Sequence, residues 1–167
     1  LKLNKLYLSG EKLNIYFPLL LLILIFSQIT IGAFVSGMDA GKIYNSWPLM
    51  GNTYFPDDSD YSSLFSLKAF SDPSLVQFMH RNLAYIIFFY YIFIFIKIYL
   101  KNITGLLKTI KLIGILLLLQ ILLGILTLLY GAQIFVSSMH QISSIFLVTS
   151  CIYFLFLNTK FNLQLSN

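Results

Sequence analysis

Residues 110–130 read IKLIGILLLLQILLGILTLLY, with Lys111 as the one charge and Gln120 and Thr127 as the polar interruptions. At about 1.5 Å per residue in a helix, a run of this length crosses the ~30 Å hydrocarbon core of a bilayer. Three other runs have the same character: Phe17 to Val35, Pro73 to about Ile98, and a fourth entered through Gly131-Ala132-Gln133 and ending near Leu157. The whole chain is 58% hydrophobic and 10% charged, with mean hydropathy +0.83, which excludes an ordinary soluble domain. The expected fold is all-α: an integral membrane four-helix bundle.

Charge sits in the connections. The net charge of +5 is not gathered into a patch with interleaved aromatics, so no nucleic-acid partner is expected. Lys2, Lys5, Lys12, Lys97, Lys101, Lys108, Lys111 and Lys160 fall on one side of the spans. Lys42, Lys68 and Arg81 fall on the other, with five aspartates. The positive-inside rule then puts both termini in the cytoplasm, or in the matrix of an organelle. Three regions follow: a cytoplasmic segment 1–16, a membrane domain 17–157 with a long outer loop at 36–72, and a cytoplasmic tail 158–167. The loop is rich in aromatics (Tyr44, Trp47, Tyr54, Phe55, Tyr61, Phe65), which argues for a folded lid at headgroup level. Asp72-Pro73 after it is a helix start, with Asp as N-cap and Pro in the first turn. Cys151 is the only cysteine, excludes an internal disulfide, and reads as a small buried hydrophobe. Leu1 in place of Met suggests a fragment, a processed chain or an alternative start codon.

The spans repeat in pairs. Gln28-x-x-x-Gly32 in the first is echoed by Gln120-x-x-x-Gly124 in the third. Met79-His80 in the second is echoed by Met139-His140 in the fourth, with Ala84 and Ser144 four residues beyond each histidine. Two repeated helical hairpins in the same topology imply a pseudo-twofold axis along the membrane normal. That axis sets the only two histidines across from each other at similar depth. An ionisable group inside a span is costly and points to function. His80 and His140 are therefore candidate ligands of one haem iron, the alternative being cross-helix hydrogen bonds to a Gln or Ser. Zinc would need four protein ligands, whereas haem needs only the axial ones. Arg81 either pairs with a haem propionate or snorkels to the headgroups. Gly32 and Gly124 either permit close helix packing or clear space for a flat ring. Gln28 and Gln120 read as helix-to-helix hydrogen bonders, Met79 and Met139 as packing residues. Asp39, Asp57 and Asp58 read as solvated loop groups rather than acids or bases.

These residues resemble a known family. Residues 32–41 (GAFVSGMDAG), 44–50 (YNSWPLM), 76–81 (VQFMHR), 119–127 (LQILLGILT) and His140-Gln141 are similar to the C-terminal half of haem A synthase. The resemblance implies two four-helix halves, oxidation of the haem O methyl group to the formyl group of haem A for cytochrome oxidase, and a b-type haem on two histidines in this half. His80 and His140 occupy those positions. It also implies haem O and haem A as substrate and product, handled through an N-terminal half missing here, in a bacterial or mitochondrial inner membrane. Membrane lipid surrounds the bundle, and a second copy of the chain or a haem O synthase are the implied protein partners. The family's catalytic glutamate lies one turn before the first histidine of the other half. Gln77 and Ser137 stand at the corresponding places here, and neither can act as acid or base. The outer loop also lacks the cysteine pair of some members. The expectation is an oxidoreductase unit that is catalytically incomplete alone. The alternatives are a stand-alone b-type cytochrome-like electron carrier, or a non-catalytic assembly remnant.

Overall fold

The computed structural model describes residues 13–164, with side chains from 13 to 160. Lys2, Lys5, Glu11 and Lys12 therefore lie outside the described residues. Four long helices carry the chain: α1 (Tyr16–Gly37), α2 (Pro73–Leu100), α3 (Thr104–Leu129) and α4 (Ile134–Gln164). All four are long and apolar enough to cross a membrane, and the protein is an integral membrane protein.

The helix bounds follow local chemistry. Asp72 caps α2, its carboxylate accepting from Ser74 N (2.9 Å) and Leu75 N (3.2 Å), with Pro73 in the first turn where a missing N–H costs nothing. The α2–α3 turn is shorter than the polar residues suggest. It turns at Asn102 (φ 53°), and α3 starts at Thr104, six residues before the apolar run begins. Lys108 and Lys111 thus lie on helix, which is reasonable because long basic side chains reach water from a helix end. The α3–α4 link turns through Gly131 and Ala132 in the left-handed region (φ 64° and 56°). Beyond Leu157, α4 continues to Gln164.

Neighbouring helices pack in the cyclic order α1–α2–α3–α4 and back to α1, so α2 and α4 occupy one diagonal of the bundle. The interior divides along its length. At the end away from the outer loop it is filled by Leu21 and Ile25 of α1, Ile87, Ile94 and Ile98 of α2, Ile110 and Ile113 of α3, and Cys151 and Phe154 of α4. Cys151 is a fully buried packing residue there. At the loop end the interior is polar instead. The outward faces present residues such as Ile23, Phe26, Ile86, Phe89, Leu118 and Phe146, as contact with lipid requires.

Among the described glycines, Gly114 of α3 has the closest neighbour: a Cβ there would overlap the Tyr91 hydroxyl of α2 and lie 2.7 Å from its Cζ. Gly114→Ala should overpack this contact and destabilise the bundle by about 1–3 kcal/mol. A lowered midpoint on thermal unfolding in detergent would show it, and Tyr91→Leu in the same chain should restore much of the loss.

The loop is ordered by its own contacts. Residues 40–42, 61–65 and 67–71 form short 3-10 turns. Phe55 stacks on Tyr61 (3.8 Å) and meets Phe78 of α2 edge-on (5.0 Å). Ser74 Oγ donates to Asp58 (2.7 Å), and Ser59 Oγ donates to Asp72 (3.1 Å). Partial burial alone would raise the Asp58 carboxyl, but hydrogen bonding, led by the Ser74 hydroxyl, outweighs it and holds it below its ordinary value of 3.8. A lowered folded-state pKa stabilises the loop above the unfolded value and loses that contribution as pH falls through the folded one. Emission from Trp47, the only tryptophan, should therefore hold steady from neutral pH and shift only below about pH 4. In Asp58→Asn that acid step should shrink.

Candidate functional site

The loop end of the bundle gathers the intramembrane polar residues. His80 lies seven residues beyond Pro73 in α2, and His140 six residues beyond Ile134 in α4, each about 10 Å into its helix. Gln28 and Gln120 each lie nine residues before the end of α1 and α3. Antiparallel neighbours then bring each glutamine beside the histidine of its own hairpin.

The contacts bear this out pair by pair. Gln28 Nε2 donates to the backbone oxygen of His80 (3.0 Å) and lies 3.2 Å from His80 Nε2. The Gln120 amide fits its surroundings with its oxygen facing Ser143 Oγ and Ser144 N (3.1 Å), because the reverse would set oxygen against acceptors only. Its nitrogen then donates to the backbone oxygen of His140 (3.2 Å). One turn further on, the glycines seat the rings. A Cβ at Gly32 would lie 3.0 Å from His80 Cε1, and one at Gly124 would lie 3.3 Å from His140 Cε1. The cross-helix bonding expected of both glutamines is present, and the glycines receive imidazole edges.

His80 Nδ1 is buried with no hydrogen-bond partner, as are Ser137 Oγ and Thr127 Oγ1 near the same end. An unmatched buried imidazole nitrogen is costly unless something else binds it. Two imidazoles at matching depth on diagonal helices, one with an open ring nitrogen, fit a haem that needs only axial donors. Gln77 and Ser137, one turn before the histidines, carry no carboxyl group. The five aspartates lie between α1 and α2, with Asp72 capping α2.

Arg81 makes contacts that neither sequence expectation named. Its guanidinium turns onto the outer loop, donating to Ser46 O (3.0 Å), Leu49 O (3.2 Å) and Tyr44 O (2.9 Å), with Nε buried and unpartnered. Gln77 Nε2 donates to Tyr44 O as well (3.2 Å), and Tyr54 Oη donates to Asn82 (2.5 Å). Asn45 of the loop donates to Leu128 O at the end of α3 (2.9 Å), so the loop ties to both hairpins over the histidine end. Sequence reasoning missed this clamp. The signal was the polar run Gln77, His80, Arg81, Asn82 in an otherwise apolar helix.

Fold and site together define a helical membrane protein with paired intramembrane histidines. The family described as cytochrome oxidase assembly protein (COX15-CtaA) matches residues 7–152. The chain is 41% identical to a heme A synthase of Pelagibacter ubique over 97% of its own length and 47% of that protein's. It is 36% identical to a heme A synthase of Rickettsia prowazekii over 92% of this chain and 46% of the relative. The chain belongs to the haem A synthase family, and it spans about half the length of these curated relatives. No solved structure matches it.

Proposed function

We propose that this four-helix unit is the C-terminal, haem b-binding half of a haem A synthase, in which His80 and His140 would hold the haem iron. The observation that carries this is the repeated pair: each hairpin holds its histidine by a glutamine on the backbone and a glycine under the ring. When bound, the haem would supply one-electron redox chemistry.

What the chain's residues do is bind and orient. The two hairpins set ring depth, and the loop, clamped by Arg81 and Asn45, covers the site from outside. A proton-transfer role falls to no group beside the histidines, because Gln77 and Ser137 cannot ionise to the required form. The methyl-to-formyl oxidation of haem O therefore depends on a second unit, and haem O and haem A meet the protein there. The lysine distribution supports an orientation with the termini on the cytoplasmic or matrix side and the loop outside.

The test is spectroscopic. The purified chain should carry about one reducible b-type haem, and should convert no haem O to haem A by itself. Absence of a reducible haem after purification and after added haem b would refute the binding role. Haem A formation by this chain alone would refute the incompleteness.

A further inference from the structure

The outer loop is anchored on one side and bare on the other. In the turns 61–65 and 67–71, Ala69 is fully buried and Leu64 partly so, packed with Phe55 and Leu75 at the head of α2. Phe65 and Leu67 take no part in that cluster and are 90% and 86% exposed, with Lys68 and Phe70 exposed beside them. Lys68 makes no ion pair among the described residues. A phenylalanine and a leucine left this bare, two residues apart on an anchored segment, form a contact surface. The membrane helices fix its level. At the inner end, Lys97 lies over the rings of Phe17 (5.1 Å) and Phe93 (5.0 Å), where a lysine stem reaches water from the hydrocarbon edge. A core of ~30 Å measured from there takes up about twenty residues of α2 and ends near Gln77. On α1, Phe34 stands ~26 Å along the helix from Phe17, close to the outer edge of the same core. Phe34 is exposed on the lipid side, and Phe70 packs on its ring (5.7 Å). The turn 67–71 therefore lies at the hydrocarbon boundary beside α1.

We propose that residues 61–71 are an interfacial anchor seated in the outer leaflet, with Phe65 and Leu67 among the upper acyl chains and the Lys68 ammonium on a phospholipid phosphate. Apolar side chains at the headgroup boundary with a cation beside them are the pattern of a segment that lies in the interface. The surface runs through Phe70 and Phe34 into the lipid-facing side of α1, and this continuity favours phospholipid over a protein as its occupant. The loop over the histidine end is then held from two sides, by Arg81 within the protein and by lipid at its rim. Lipid seating of this segment requires no haem.

Trp47 is the only tryptophan, so Trp47→Phe gives a silent background into which Phe65→Trp or Leu67→Trp places a single reporter. Both positions are exposed, so neither indole needs room in the interior. The full chain is reconstituted in phosphatidylcholine vesicles carrying bromine on the upper part of one acyl chain, and aqueous iodide is added to matched vesicles without bromine. Each reporter should lose most of its emission to the brominated lipid and little to iodide. Lys68→Glu in the same chains should lessen the bromine loss, because a carboxylate is repelled by the phosphate that the ammonium holds. Strong iodide quenching without bromine loss puts the segment in water and overturns the proposal. Protection from both quenchers also overturns it and assigns the surface to a protein cover, a second copy of the chain in this preparation. Bromine loss that is unchanged by Lys68→Glu overturns the phosphate contact.

Discussion

His80→Ala and His140→Ala are each expected to remove the low-spin b-type spectrum from the purified chain. Both side chains sit in the polar end of the bundle, apart from the apolar interior built on Ile94, Ile113 and Phe154. Truncating either ring should therefore leave the helical fold in place, which circular dichroism of the same samples checks. With one axial donor left, any haem retained should be high-spin and readily lost, because no other imidazole exists in the chain to replace it. If only one substitution changed the spectrum, a single ligand would be assigned, and the hairpin symmetry would not extend to the iron. Unchanged low-spin spectra in both would remove the ligand assignment altogether.

Arg81→Met should release the outer loop. The guanidinium makes three hydrogen bonds to carbonyls at residues 44, 46 and 49. A charged donor contributes about 1.5–3 kcal/mol per bond, so several kcal/mol of local ordering is lost. Methionine keeps the apolar stem while removing every donor. The segment around Trp47 should become protease-sensitive and its emission should move toward that of exposed indole. Arg81→Lys should restore only part, since an ammonium lacks the planar fork that reaches several carbonyls at once. The same variant separates two roles for this residue. Haem loss with the loop still protected would assign the guanidinium to a propionate, whereas an exposed loop assigns it to the clamp.

Much of the fold was legible because hydrocarbon imposes simple rules. A backbone in lipid must satisfy its own hydrogen bonds, so four apolar runs can only be helices. The repeat of Gln-x-x-x-Gly and Met-His in alternate spans carried the hairpin pairing and the matched depth. Helix ends were harder to place. Lys108 looks like a connection residue in a hydropathy reading, yet it lies on α3 because a lysine stem tolerates the membrane edge. The glycines illustrate a different gap. Both uses considered for Gly32 and Gly124 were chemically sensible, and spacing along one helix cannot say whose side chain fills the space on the facing helix.

By itself the sequence determined a four-helix membrane bundle, its two repeated hairpins, and two histidines at one level, because these depend on periodicity, length and local turn chemistry. Tertiary structure alone decided three things. Gln28 and Gln120 reach the histidine backbones, the glycines sit under the rings, and Arg81 faces the loop instead of the interior. Each is a contact between segments far apart in the chain: Arg81 finds its acceptors more than thirty residues away. Which acceptor a flexible donor reaches depends on which carbonyls the packed helices and loop leave uncovered, and no pattern along the chain encodes that directly.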